Sequence, residues 1–233
     1  LVVLVDRYSA SASEIFAAAI QDYGRGIVVG QQTFGKGTVQ NLFPLDRYKR
    51  APNPGFGQLT LTIGKYYRVT GNSTQHRGVE PDISLPSSID SSMVGESTRD
   101  TALPWDQIAA TEFTGEQFPY GPIPALEQRH VKRQQSNPDF DYLRGDIAAV
   151  QHARERVSVS LNREKREAER EEFRLEQLAR ENERRSAQGL EPLASIEDLE
   201  NEEGPDFILD EAAEIVVDMA DIEIAARLQR QNE

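Results

Sequence analysis

The sequence contains no cysteine in its 233 residues. That removes thiolate nucleophiles, thiolate metal sites and disulfides together. Histidine is nearly absent too: His76, His130 and His152 are the only three. None sits in a suggestive context, so a Ser-His-Asp enzyme would have to spend one of very few. Basic residues are outnumbered, 26 against 39 acidic ones, for a net charge of −13. This argues against a nucleic-acid binder, which carries a basic face, and against docking on anionic lipid. No apolar run approaches the roughly 20 residues of a membrane span. There is no initiator Met. The chain opens on Leu1-Val2-Val3-Leu4-Val5, which reads as a strand buried on both faces. Such a strand needs neighbours on each side, so the chain is expected to begin inside a domain.

What is present is uneven. Residues 1–85 mix apolar runs with glycines and read as strand, turn, helix, then further strands. An alanine-rich helix is expected over Ile15–Tyr23, preceded by serines that suit N-caps and ended by Gly24 and Gly26. Ile27-Val28-Val29-Gly30 is a second short buried strand, and Thr38–Leu45 a third. Arg47–Gly57 is a Pro/Gly-rich excursion. Leu59, Leu61 and Ile63 alternate with Thr60, Thr62 and Gly64, the period of a half-buried strand. Residues 86–145, rich in Ser, Pro, Gly and Asp, read as an extended connector with apolar spots near Trp105 and Phe118. Residues 146–233 read as a helical extension. Its run Asn162–Arg185 is almost wholly charged and so solvated on most faces. Phe207–Leu228 has the spacing of a final amphipathic helix.

Two segments carry chemistry. In Tyr8-Ser9-Ala10-Ser11-Ala12-Ser13 a serine hydroxyl can stand exposed at a turn, while the N–H groups of a helix N-terminus point outward, able to hold an oxyanion. Caps alone would account for serines there. In Thr33-Phe34-Gly35-Lys36-Gly37-Thr38 a lysine stands between two glycines and can thread into a buried site. Lysine acts as a general base only when neutral, which burial favours. The Ser-Lys dyad is a known variant of the serine-hydrolase constellation. An exposed lysine in a glycine turn is the plainer alternative. Gly30–Gly37 also nearly matches the phosphate loop G-x-x-x-x-G-K-[ST]. Gly37 replaces the hydroxyl residue, and a strand rather than a helix follows.

The combination resembles the tail-specific, C-terminal-processing serine proteases. Asp6-Arg7-Tyr8-Ser9-Ala10-Ser11-Ala12-Ser13-Glu14 is similar to their nucleophile segment, and Phe34-Gly35-Lys36-Gly37-Thr38-Val39-Gln40 to their base-lysine segment. Leu59–Tyr67 and Gly78–Ile83 resemble their closing strands. The resemblance selects Ser11 over Ser9 and Ser13, and Lys36 over Lys65. It implies Ser11 as nucleophile, Lys36 as general base, Gln40 as support for the lysine, and Ala12 N–H as one oxyanion donor, with the second donor outside this chain. It also marks Asp22 as functionally sensitive. Eleven residues along a helix rise about 16 Å, so Asp22 cannot reach the Ser11 hydroxyl and is expected to position, not react.

The implied fold is α+β: the C-terminal half of a crotonase/ClpP-like protease domain over residues 1–85, a connector over 86–145, and a helical extension over 146–233. The acidic and Arg-rich extension resembles that of the long Gram-negative branch. The implied activity is endopeptidase cleavage of proteins recognised by apolar C-terminal tails, through an acyl-enzyme and without metal or cofactor. A PDZ domain upstream would capture the tail. The resemblance further implies a periplasmic location and leaves room for an adaptor. Exposed sheet edges are expected to favour dimerisation, and the chain alone to be poorly active. The alternative is a non-enzymatic helical interaction module carrying an inert protease remnant.

Overall fold

In a computed structural model, residues 1–47, 55–113, 123–201 and 206–231 are described. The chain forms two compact units: Leu1–Ser84 with Ile89–Pro119, and Leu85–Ser88 with Tyr120–Glu233.

The first unit is built on a β–α–β crossover. Strand β1 (Val2–Val5) leads through helix α1 (Ala12–Asp22) to β2 (Ile27–Gly30), which lies parallel to β1. A short β5 (Ile83–Ser84) joins the other edge of β2, giving the order β1-β2-β5. Ile27, Val28 and Val29 are fully buried. The expected burial on both faces is therefore realised in β2. It is not realised in β1, which has one neighbour among the described residues and leaves Leu4 38% exposed. Helix α1 lays Ala17 and Ala18 on the sheet, where they meet Val5, Val28 and Val79. Two side chains of a single methyl let the helix backbone approach closely, which fixes the height of its N-terminus above the sheet.

A separate antiparallel ribbon pairs β3 (Thr38–Pro44) with β4 (Gln58–Lys65), with an irregularity between Val39 and Gln40. Because side chains alternate, Gln40 and its partner Thr62 share one face. Phe43, Leu59, Leu61 and Ile63 share the other. The period-2 expectation for Leu59–Ile63 is met in the backbone, but the three side chains remain about half exposed. Most of the Arg47–Gly57 excursion, and Phe118, lie outside the described residues.

The second unit is helical: α2 (Ile123–Ser136), α3 (Pro138–Glu155), α4 (Arg163–Ala187), α5 (Ile196–Asn201) and α6 (Phe207–Gln231). Residues 123–136 and 138–145 are therefore helical where the sequence suggested extended chain. The reason is a sparse apolar signal. Helix α2 buries Leu126 and His130, and α3 buries Phe140, with few other apolar residues to mark a stripe. Charge replaces it. Glu211 of α6 accepts from Arg133 and pairs with His130 Nδ1 at 2.7 Å, and Asp218 accepts from Arg129 and Arg133. Helix α6 buries Ala212, Ile215 and Met219, yet Leu209, Val216, Val217, Ile224 and Leu228 are about half exposed. It is apolar on more than one side, not a single amphipathic stripe. Helix α4 starts at the Asn162 cap, whose side chain accepts from Lys165 N–H.

Candidate active site

The turn from β1 into α1 is closed by Asp6, whose carboxylate accepts from the N–H groups of Tyr8 and Ser9 and from the Ser9 hydroxyl. The chain then enters the helix through Ser11, at φ 57° and ψ −110°. An ordinary N-cap serine adopts extended backbone. A positive φ away from glycine is sparsely populated and costs about 1–3 kcal/mol. The residue is half-buried, and Ala12 and Ser13 after it are exposed. Ser13 N–H bonds to Ala10 O and Glu14 N–H to Ser11 O. Among the described residues no protein partner is found for Ala12 N–H, which stands at the positive end of the helix on an exposed residue.

Three residues after Ser11, on the inner face of α1, Glu14 is fully buried. Its Oε2 accepts from Ser11 N–H at 2.8 Å and from Lys36 N–H at 2.9 Å. Its Oε1 accepts from Gly35 N–H and the Thr33 hydroxyl, each at 2.6 Å. One carboxylate thus joins the serine turn to the lysine loop. Thr33, also fully buried, accepts from Val79 N–H at 2.7 Å, which ties the arrangement to the segment leading into β5. Gly35 adopts φ 91°, and a Cβ there would stand 2.7 Å from the His76 carbonyl. Only glycine fits.

Lys36 is half-buried, and its amine donates to Gln40 Oε1 at 3.1 Å. Gln40 Nε2 in turn donates to Thr62 Oγ1 at 3.4 Å, on the polar face of the ribbon. Ser11 and Lys36 are brought together through their backbones. Among the described residues no hydrogen bond joins their side chains. Two of the three rivals are engaged elsewhere: the Ser9 hydroxyl with Asp6, and the Lys65 amine with Asp106 and the Pro104 carbonyl. The phosphate-loop reading also meets a geometric obstacle. The N–H groups of Gly35, Lys36 and Gly37, which would cradle phosphate, are taken by Glu14 and by Gln75 Oε1.

Asp22, at the far end of α1, receives a bidentate pair from Arg68, with contacts of 2.5–3.2 Å. Arg68 also donates to Gln21 Oε1, and Gln21 donates to Asp82, whose carboxylate caps Val28 N–H. Asp22 therefore locks the helix end to the 66–71 turn and makes no contact with Ser11.

Glu14, Thr33 and Arg7 stand inside the two chemistry-bearing segments, but the sequence alone assigns none of them a role. The signal for Glu14 was available: Ser11-Ala12-Ser13-Glu14 is S-x-x-E, the spacing of a capping box. Arg7 is 2% exposed and donates to the carbonyls of Thr33, Val94 and Ser91. Burial lowers its pKa, and the Glu14 charge works the other way. Nothing in the local sequence marks a buried arginine in a turn. Among the described residues no group of three His, Asp or Glu is arranged to hold a metal.

Residues 1–85 match the model of peptidase family S41, so the Ser11 turn and the Lys36 loop lie in a peptidase region. Residues 89–221 match the C-terminal domain of tail specific protease. The chain is 41% identical over 222 residues to the tail-specific protease of Haemophilus influenzae, covering 94% of this chain and 32% of that one. It is 45% identical over 83 residues to the carboxy-terminal-processing protease of Bartonella bacilliformis (36% and 17%), and 40% identical over 85 residues to the chloroplastic C-terminal processing peptidase of Tetradesmus obliquus (36% and 17%). The chain belongs to the tail-specific protease family, and it spans about a third of the relative that it matches throughout.

Proposed function

We propose that the protein containing this chain is a serine endopeptidase in which Ser11 is the nucleophile and Lys36 the general base. Lys36 takes the Ser11 proton as Oγ attacks the scissile carbonyl, and it returns that proton to the departing amine. Water, with Lys36 again as base, then releases the acyl group. Ala12 N–H holds one side of the oxyanion, and a second donor comes from outside this chain. Gln40 keeps the lysine amine aimed. Asp22 holds the end of α1 and so sets the helix on which Ser11 stands.

The observation that carries this reading is the Glu14 carboxylate. It binds the backbone of both Ser11 and Lys36 and couples a strained serine to a particular lysine. A cap serine and a surface lysine would need no such coupling. The names of the relatives point to substrates cleaved near their C-termini, and the resemblance to apolar tails as the recognised feature. A periplasmic setting and an adaptor go with the same reading. The chain by itself, with its apolar ribbon face open, is expected to be poorly active.

The test uses the full-length protein and an unfolded substrate with an apolar C-terminal tail, followed by mass spectrometry. Ser11→Ala and Lys36→Ala should each abolish cleavage while preserving the fold. Retained cleavage in either removes the dyad. Absence of cleavage in the wild type, with and without candidate adaptors, favours the alternative of an inert remnant serving as an interaction module.

A further inference from the structure

The lysine loop is held from two sides. Glu14 and Ser9 hold it from α1 and the turn before it: Phe34 N–H donates to Ser9 O at 3.0 Å. The other side is held by a strap, residues 89–99. Glu96 N–H donates to Phe34 O at 2.9 Å. Arg7 bridges strap and loop, with Nη1 on Thr33 O, Nε on Val94 O at 2.6 Å and Nη2 on Ser91 O at 3.2 Å. Among the described residues, every backbone polar group from Thr33 N–H to the Gly37 carbonyl except the Lys36 carbonyl has a protein partner. Polar groups so fully paired leave the loop one conformation, because any other would strand buried donors and acceptors.

The strap fits one shape only. Gly95 lies at φ 138°, and a Cβ there would stand 2.2 Å from Arg7 Nη2. A planar guanidinium with fixed donor directions therefore reads the strap at Gly95 and the loop at Thr33 together. The family boundary makes this informative. Residues 89–221 match the C-terminal domain of tail specific protease, yet the strap folds within the first compact unit, against the peptidase region.

We propose that the strap at the start of the C-terminal domain is a positioning element of the active site. Through Arg7 and Glu96 it fixes the Thr33 and Phe34 carbonyls and so the direction in which the loop presents Lys36. The inference rests on the Ser11/Lys36 reading. In its terms the C-terminal domain contributes to turnover itself, besides whatever its helices bind.

The experiment compares Arg7→Lys and Gly95→Ala with Ser11→Ala and Lys36→Ala in the full-length protein. Lysine keeps the charge of Arg7 but cannot span three carbonyls. Both strap variants are expected to lower kcat about 100-fold, the scale of a misplacement near 1 Å. KM should stay within about twofold, and the pH profile of kcat should shift. Amide exchange should quicken at least tenfold at Gly35 and Lys36, while Val28 and Val29 keep their protection. Wild-type kcat and pH profile in the strap variants would overturn the proposal, as would exchange that quickens equally in β2, since that marks a merely structural role. If a variant fails to fold, the other and the wild-type exchange pattern still decide. A wild-type loop that exchanges independently of the strap would overturn the proposal too. Cleavage that survives Ser11→Ala or Lys36→Ala sinks the dyad instead, whatever the strap variants do.

Discussion

The Glu14 carboxylate accepts from the Lys36 backbone N–H at 2.9 Å, on the same oxygen that receives Ser11 N–H at 2.8 Å. Lys36, 22 residues further along the chain in loop 33–37, is thereby locked to the start of α1. Glu14→Ala would strand the buried donors of Gly35 and Thr33, at about 1–3 kcal/mol each, and leave the part-buried N–H groups of Ser11 and Lys36 without their partner. The expected outcome is loss of peptidase activity with marked destabilisation in a denaturant titration. Glu14→Gln should do less harm, since its amide oxygen still accepts from one side. Equal stability of wild type and Glu14→Ala would show that the four contacts contribute nothing.

Gly35→Ala is expected to be far more damaging than an average loop substitution. The added Cβ would meet the His76 backbone at 2.7 Å, on a residue already at φ 91°. A cost of about 1–3 kcal/mol from the backbone conformation alone is expected, and activity should fall with it. A melting temperature within a degree of wild type would contradict the strain argument.

Asp22 and Arg68 form a mostly buried pair, their side chains 6% and 16% exposed. Removing one partner leaves a charge unmatched, at about 3 kcal/mol or more. Asp22→Asn and Arg68→Met should each destabilise. A double-mutant cycle should return a coupling energy above about 1 kcal/mol. If Asp22→Asn lost activity with stability intact, Asp22 would have a role beyond locking the helix end.

In the second unit, burial works to raise the pKa of Glu211. Hydrogen bonds from His130 and Arg133, with the Arg133 charge, outweigh it, and the pKa is lowered from its ordinary 4.5. A depressed carboxylate pKa adds stability above the unfolded value, and that stability is lost as pH falls through the folded one. The α2–α6 pair should therefore weaken below about pH 4.5. Circular dichroism between pH 6 and pH 2 would follow it. Glu211→Gln should flatten the acid limb and lower stability at neutral pH. An unchanged acid limb would remove Glu211 as its source.

The apolar ribbon face of Phe43, Leu59, Leu61 and Ile63 is open in this chain. Exposed ribbon edges and faces favour self-association. The 233-residue chain should associate in a concentration-dependent way by analytical ultracentrifugation, and Leu61→Lys with Ile63→Lys should return it toward a monomer. A wild-type chain that stays monomeric at high concentration would show that this face does not self-associate.

Much of the candidate site was legible in the sequence, where local marks offered the segments and the family resemblance selected the residues within them. Ser11 stands at a strand-to-helix turn, Lys36 between two glycines, and Gln40 four residues further on. Helix α1, β2 and the alternation of Leu59–Ile63 follow from spacing and propensity. Helix α2 and the part of α3 before residue 146 were not legible, because charge pairs across α2 and α6, with few apolar residues to mark a stripe, hold that part together. The roles of Glu14, Thr33 and Arg7 were not legible either. A carboxylate becomes a hub, and an arginine a clamp, only when distant backbone groups arrive to be bound. The sequence by itself determined which residue types could do the chemistry and the elements that carry them. Tertiary structure alone decided that one buried carboxylate binds both candidate segments, and that residues near 95 reach the lysine loop. Hydrogen bonds between residues tens of positions apart depend on where the chain returns, and no local pattern records that.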